Sequence, residues 1–122
     1  QCMEIYKGKP EDFLLISGDD VQAVPIIACG GVGVMSVIAN AIPTKFTNMI
    51  HAALDGDFKG ARDVLGDFLA IDPLLYEEGN PVGVKKILEI KGLAESHVRL
   101  PLVKASEELG ERMKVVLAND NL

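Results

Sequence analysis

The sequence predicts an α/β fold in which a strand–helix–strand unit precedes a mostly helical region. Two apolar runs, residues 13–16 and 34–39, do not alternate with polar residues, which is typical of parallel strands buried on both faces. Residues 20–29 between them have a helical pattern, so the connection should form a right-handed crossover. From residue 43 onward, apolar side chains recur at the spacing of amphipathic helices.

Capping residues and glycines set the limits of the first three elements. Asp19 or Asp20 can cap the helix over residues 20–29, and Gly30 ends it. We interpret the glycine-rich residues 30–33 as a tight turn into the second strand, because a dinucleotide-binding loop follows a strand and opens a helix. The sequence therefore indicates no nucleotide cofactor.

Proline, glycine and capping residues divide the helical region. Pro43 suits the first position of a helix. Asp57 caps a longer helix, which Pro73 should end or kink. A third helix is predicted over residues 82–91, and Ser106 caps the last one.

The composition excludes several classes of partner. The 122 residues include 12 Lys and Arg against 18 Asp and Glu, for a net charge of −6, whereas nucleic acids and anionic membranes bind basic patches. The longest apolar stretch, residues 21–41, is interrupted by proline, glycine, serine and asparagine, so it lacks the roughly 20 continuous apolar residues of a membrane span. We predict neither nucleic acid nor a membrane as a partner.

The two cysteines point to neither a metal site nor a disulfide. Cys2 and Cys29 have no metal-ligand spacing and form no disulfide framework. Free thiols are typical of the reducing cytoplasm. We therefore predict a cytoplasmic protein that holds no metal and no other cofactor.

Two parallel strands cannot form a complete sheet. Each leaves unpaired N–H and C=O groups along its outer edge, and parallel sheets occur almost only with more strands and with helices on both faces. The length suits one compact domain, but the sheet inside it is incomplete. We therefore expect the chain to be part of a larger sheet.

Polar residues follow the first strand, at the end where parallel sheets bind their ligands. The adjacent carboxylates of residues 17–20, SGDD, could act as acid and base or hold a cation. Alternatively, one carboxylate caps the helix and the other faces solvent. His51 and His97 are isolated in the sequence and suit structural or surface roles. No complete catalytic set follows from spacing alone.

Two longer motifs resemble those of a known enzyme family. Residues 13–20, FLLISGDD, and residues 30–40, GGVGVMSVIAN, are similar to the seventh and eighth barrel strands of the dihydrodipicolinate synthase family. The similarity continues, in the family's order and spacing, through residues 52–58, Ala61-Arg62, Glu78, Asn80-Pro81, Val84-Lys85 and Arg99-Leu100-Pro101-Leu102. It covers nearly the whole chain.

The resemblance implies the last two βα units of a (β/α)8 TIM barrel, over residues 1–56, and a carboxyl-terminal helical region over residues 57–122. It also implies a homo-oligomer, usually a homotetramer. The implied partners are pyruvate and aspartate semialdehyde, which the family condenses in lysine biosynthesis through a Schiff base on a lysine.

The catalytic groups of the family cannot be placed in this sequence. The imine lysine and a tyrosine–threonine–tyrosine proton relay belong to the amino-terminal part of the family sequence, and Lys7, Lys9, Tyr6 and Tyr76 do not match them. We therefore predict no catalytic residue within the chain.

Two substrate-binding residues are carried over from the family. Met35 matches the eighth-strand position whose backbone carbonyl lies beside pyruvate, where isoleucine is more usual. Gly18 matches the glycine at the end of the seventh strand, where the backbone approaches the pocket. Residues 78–83, EGNPVG, depart from the usual EPNPIP, and the loss of two prolines predicts a looser turn.

Three hypotheses about function follow. The first is the carboxyl-terminal part of a dihydrodipicolinate synthase-like lyase, inactive by itself because covalent catalysis needs a lysine that this sequence does not supply. The second is the N-acetylneuraminate lyase or sugar-acid aldolase branch of the same superfamily, with the same imine chemistry. The third is a non-catalytic module whose strand edges are completed by self-association.

Overall fold

The computed structural model describes residues 1–119 and 122. A two-stranded sheet lies near the beginning of the chain, and helices form most of the rest. In chain order the elements are α1 (Cys2–Gly8), β1 (Ile16–Ser17), α2 (Ala23–Ala28), β2 (Gly33–Val34), a 3-10 helix (Ile38–Asn40), α3 (Pro43–Leu54), α4 (Phe58–Phe68), α5 (Asp72–Tyr76), α6 (Val82–Ile90) and α7 (Glu107–Asn119).

The two strands form a parallel pair that α2 connects. Ser17 of β1 aligns with Val34 of β2. Backbone hydrogen bonds flank the aligned residues, because the Val32 N–H donates to the Leu15 carbonyl and the Met35 N–H donates to the Ser17 carbonyl, both at 2.8 Å. The predicted strand–helix–strand unit is confirmed.

The first strand is shorter than predicted. Residues 13–16 were expected to be extended and buried, whereas β1 covers Ile16–Ser17 and the side chains of Phe13 and Leu14 are 54% and 62% exposed. Within residues 1–119 and 122, β1 pairs with β2 alone, so its other edge has no hydrogen-bonding ladder to extend it.

The second strand also ends early, at Val34 instead of residue 39. The N–H groups of Val37 and Ile38 donate to the Asp20 carboxylate and not to a neighbouring strand. The Ser36 hydroxyl then accepts the Ala39 N–H at 2.8 Å, at the start of the 3-10 helix. Side-chain acceptors have replaced the sheet ladder in this segment.

The capping prediction for the crossover helix is wrong. α2 begins at Ala23, and its N-cap, Gln22, makes no side-chain capping bond. Asp19 binds the Gln22 N–H at 2.9 Å, one residue before the helix, and Asp20 is turned away towards Val37 and Ile38. The predicted stop is confirmed, because Gly30 adopts a φ of 96°.

Helix α1 was not predicted from the sequence. None of its side chains is buried. The Tyr6 ring lies against Gly30 so closely that a Cβ there would overlap it.

The caps of the helical region largely follow the predictions. Pro43 occupies the first turn of α3. The Asp57 carboxylate accepts the Gly60 N–H at 2.9 Å, and the Ser106 hydroxyl accepts the Leu109 N–H at 3.1 Å. Pro73 does not end α4, which stops at Phe68; it lies in the first turn of α5, where a missing N–H breaks no helical hydrogen bond.

The core lies between α2, α3 and α4 and continues to α5, α6 and α7. Phe46 of α3 meets Phe68 of α4 edge to face, with ring centroids 5.5 Å apart. The α6 backbone reaches α5 at Gly83, where a Cβ would overlap the Leu75 backbone.

Candidate functional site

The parallel pairing places two polar segments at the same edge of the sheet. β1 runs directly into Gly18, Asp19 and Asp20, and β2 runs into Met35. The Met35 N–H donates to the Ser17 carbonyl, the last residue of β1. The two residues predicted to bind substrate, Gly18 and Met35, therefore follow the carboxyl ends of adjacent strands, where parallel α/β folds bind ligands.

The segment after β1 is a tight turn held by its own side chains. The Ser17 hydroxyl donates to the Asp19 carbonyl at 2.7 Å and accepts the Asp19 N–H at 3.1 Å. Gly18 lies at the exposed tip between them, and a Cβ there would meet nothing within 4 Å. The Gly18 backbone is therefore accessible to a ligand at the carboxyl ends of the strands.

Asp20 is the buried anchor of the site. Its side chain is 1% exposed, and its Oδ2 accepts the N–H groups of Val37 and Ile38, each at 3.0 Å. Its Oδ1 has no hydrogen-bond partner among residues 1–119 and 122. Asp20 is therefore neither the helix cap nor the solvated carboxylate that the sequence suggested, but a bridge between the two strand ends.

An acidic environment extends from this turn to α5. Burial raises the pKa of Asp72, and the negative charges of Asp19 and Asp20 raise it further. Burial and the same two aspartates, together with Asp72, also raise the pKa of Tyr76. No group of three or more His, Cys, Asp or Glu side chains in the described part of the chain could hold a metal ion.

A pocket of about 440 Å³ lies between the end of β2 and α3. Met35, Ser36 and Asn40 form one side of it, and Thr47 and His51 of α3 form the other. The Asn40 side-chain amide donates to the carbonyls of Ser36 and Val37, which fixes the first side. Met35 is 74% exposed and is thus the predicted site residue that reaches this pocket.

Sequence reasoning missed two features of this site. His51 was assigned a structural or surface role; it is exposed on α3 and also borders the pocket. The sequence predicted Asp20 as an acid or base, a cation ligand, a helix cap or a solvated carboxylate. Its two partners lie 17 and 18 residues away, so no local pattern could have revealed them.

The remaining candidates lie away from the strand ends. His97 is exposed, and its Nδ1 lies 2.7 Å from Glu95 Oε2, in agreement with its predicted surface role. Lys9 precedes β1, and its Nζ lies 5.6 Å from the centre of the Tyr6 ring. Cys2 and Cys29 are free thiols, as predicted.

Comparison with known proteins identifies the family of this chain. Residues 1–120 match the sequence profile described as the dihydrodipicolinate synthetase family. The chain belongs to this family. A curated 4-hydroxy-tetrahydrodipicolinate synthase from Cytophaga hutchinsonii is 55% identical over 109 residues, which are 89% of this chain and 37% of that protein. The enzyme of the same name from Phocaeicola vulgatus is 44% identical over 117 residues, 96% of this chain and 39% of that protein.

Solved structures of the family confirm the predicted fold class. The dihydrodipicolinate synthase of Aquifex aeolicus superposes with a TM-score of 0.92 at 37% identity, over 99% of this chain and 41% of that chain. The enzyme of Thermotoga maritima gives 0.86 at 33% identity, over 90% and 37% of the two chains. The fold is thus a part of a TIM barrel with a helical region, and it spans about two fifths of the length of these relatives.

The described residues contain no helix that is both long and apolar enough to cross a membrane.

Proposed function

We propose that residues 1–122 are the carboxyl-terminal part of a 4-hydroxy-tetrahydrodipicolinate synthase. The complete enzyme condenses pyruvate with aspartate semialdehyde in lysine biosynthesis, through a Schiff base on a lysine. The observation that carries this proposal is the 55% identity to the Cytophaga hutchinsonii enzyme of that name, over 89% of the chain. Its cytoplasmic location stays a prediction from the sequence.

The synthase branch is favoured over the neuraminate lyase and sugar-acid aldolase branch. The relatives from Cytophaga hutchinsonii, Phocaeicola vulgatus and Archaeoglobus fulgidus, at 41% to 55% identity, are all named 4-hydroxy-tetrahydrodipicolinate synthase. Identity at this level across bacteria and an archaeon supports the same substrate pair, pyruvate and aspartate semialdehyde.

Within this enzyme, residues 1–56 supply the seventh and eighth βα units and residues 57–122 supply the helical region. The parallel pairing of β1 with β2 supports this division, because successive barrel strands pair in that way. Met35 contributes its backbone carbonyl beside pyruvate, and Gly18 contributes an open backbone at the adjacent strand end. The enzyme is a homo-oligomer, since the family usually assembles as a tetramer.

Residues 1–122 alone do not catalyse the reaction. The segments that follow β1 and β2, residues 18–20 and 35–40, contain no lysine, so no amine is available at the strand ends to form the imine. Lys7 and Lys9 precede β1 in the sequence, whereas the site follows its carboxyl end. The residues of this chain bind and orient the substrate, while the nucleophile comes from another part of the barrel.

The proposal can be tested with a chimera and borohydride trapping. The amino-terminal part of the Cytophaga hutchinsonii enzyme is joined to residues 1–122, and both the chimera and the 122-residue chain receive labelled pyruvate and borohydride. We expect stable labelling and product formation with the chimera and no labelling of the short chain. The intact relative is the matched control.

Two results would overturn parts of the proposal. A chimera that folds and is labelled by pyruvate but forms product with another aldehyde would contradict the synthase assignment. Labelling of the 122-residue chain would contradict its inactivity.

A further inference from the structure

Asp20 joins the two strand ends of the site through its carboxylate. Oδ2 accepts the N–H groups of Val37 and Ile38, each at 3.0 Å, across 17 and 18 residues of sequence. The side chain is 1% exposed. Hydrogen bonds from backbone N–H groups to a buried carboxylate are charge-assisted and are about twice as strong as neutral ones.

The segment that Asp20 holds is the one that carries Met35. Val37 and Ile38 follow Met35 by two and three residues, and the Met35 N–H is itself fixed by the Ser17 carbonyl. The Met35 carbonyl therefore lies between two attachments, one to Ser17 at the end of β1 and one to Asp20 in the turn that follows. This local geometry does not depend on the Met35 side chain, which is exposed.

We propose that Asp20 is a positioning residue that sets the Met35 backbone carbonyl against pyruvate. This inference rests on the proposed function. In it, Asp20 does not contact substrate but holds Met35, whose carbonyl does. Without the carboxylate, the Val37 and Ile38 N–H groups lose their acceptor, and the segment from Met35 to Ile38 is released. Pyruvate binding should weaken, while the second substrate is affected less.

The neighbouring aspartate provides a matched control. Asp19 has the same side chain at the preceding position, but it is exposed, and its carboxylate accepts the Gln22 N–H within its own turn. Asp20→Asn is a second informative variant, because its side chain has the same shape as that of aspartate. Oδ1 of Asp20 has no hydrogen-bond partner within the described residues, so an amide nitrogen in its place breaks no hydrogen bond. Asp20→Asn keeps an acceptor for both N–H groups and loses the charge.

The kinetic test uses the full-length enzyme that carries this chain, with Asp20→Ala, Asp20→Asn and Asp19→Ala. We expect Asp20→Ala to raise the KM for pyruvate by about tenfold, because both N–H groups that hold the Met35 segment lose their charged acceptor, and to change the KM for aspartate semialdehyde much less. Asp20→Asn should recover most of the affinity, and Asp19→Ala, which leaves both bonds to Val37 and Ile38 in place, should raise the KM for pyruvate less than Asp20→Ala does. Equal effects of Asp19→Ala and Asp20→Ala, or no change in pyruvate KM, would overturn the proposal.

Hydrogen exchange separates this inference from the proposed function. Amide exchange of the peptide that contains Val37 and Ile38 is measured in the same full-length variants. Faster exchange there in Asp20→Ala, but not in Asp19→Ala, is expected. Unchanged exchange in folded Asp20→Ala would refute the anchoring itself. A wild-type enzyme that does not turn over pyruvate would refute the proposed function and, with it, the role of Asp20 in pyruvate binding. The exchange data would still show whether Asp20 holds the segment that contains Val37 and Ile38.

Discussion

Glu78 accepts two hydrogen bonds from Ser106, one from its backbone N–H at 2.8 Å and one from its hydroxyl at 2.5 Å. The two residues are 28 positions apart. The same hydroxyl accepts the Leu109 N–H at 3.1 Å and so caps α7. Glu78 therefore fixes the start of α7 against the turn that precedes α6.

Ser106→Ala should destabilise the chain more than an ordinary surface substitution. It removes both the α7 cap and the hydroxyl donor to Glu78, and we expect a loss of about 1–2 kcal/mol in the free energy of unfolding, measured by urea denaturation. Glu108→Gln, an exposed change in the first turn of the same helix, is the control. A Ser106→Ala loss no larger than that of Glu108→Gln would contradict the prediction.

Glu89 should make the stability of the helical region depend on pH. The Ser96 hydroxyl donates to Glu89 Oε1 at 2.6 Å, and the Lys86 ammonium group lies 2.9 Å from Oε2. These two contacts lower the pKa of Glu89 from its ordinary value of 4.5 to about 2. Because the folded-state pKa is depressed, the stabilisation is present above pH 4.5 and is lost as the pH falls towards 2.

The measurement is the thermal midpoint of the wild type and Glu89→Gln between neutral and acidic pH. The wild type should be the more stable protein at neutral pH, and the difference should shrink below pH 4.5. Ser96→Ala removes the first of the two contacts and should give a smaller dependence of the same sign. A difference between wild type and Glu89→Gln that does not change with pH would rule this mechanism out.

Two phenylalanines of α4 allow a controlled test of the core. Phe68 is fully buried against Phe46, whereas Phe58 at the start of the same helix is 41% exposed. Phe68→Ala should cost about 3–5 kcal/mol in the free energy of unfolding, because it removes buried apolar surface and leaves a cavity. Phe58→Ala should cost clearly less, and equal losses by chemical denaturation would contradict the packing described for α3 and α4.

Local signals in the sequence were sufficient for most of the helix limits. Asp57, Ser106 and Gly30 set helix limits within three or four residues of themselves, so the nearby sequence is enough to predict these limits. The contacts that build the site act over longer distances. The role of Asp20 depends on N–H groups 17 and 18 residues away, which become its neighbours only after the strands have paired.

Strand length was mispredicted for a related physical reason. An apolar run such as residues 13–16 predicts a buried segment. A strand forms, however, only where a neighbouring strand completes its backbone hydrogen bonds. The family resemblance predicted the barrel and placed Met35 and Gly18 at the strand ends. It could not show that His51 borders the pocket next to Met35, because that contact depends on how α3 packs.

The uncovered edge of the sheet should make residues 1–122 self-associate in isolation. Phe13, Leu14 and Ile16 lie exposed along β1 and the segment before it, as do Val32 and Met35 beside β2. An unpaired edge with adjacent apolar side chains is a template for pairing with another chain. In the complete enzyme we expect the remaining barrel strands to cover this surface.

Leu14→Ser should therefore reduce the self-association of the isolated chain. The measurement is the apparent mass by sedimentation or size exclusion over a range of protein concentrations. Leu100→Ser is the matched control, because Leu100 is 88% exposed and lies far along the chain from the sheet. We expect the mass to fall with Leu14→Ser and to stay at the wild-type value with Leu100→Ser, since only the first change reduces the apolar surface beside the open strand edge. A wild-type chain that is monomeric and unfolds cooperatively at every concentration would show instead that its strand edges are satisfied within one molecule.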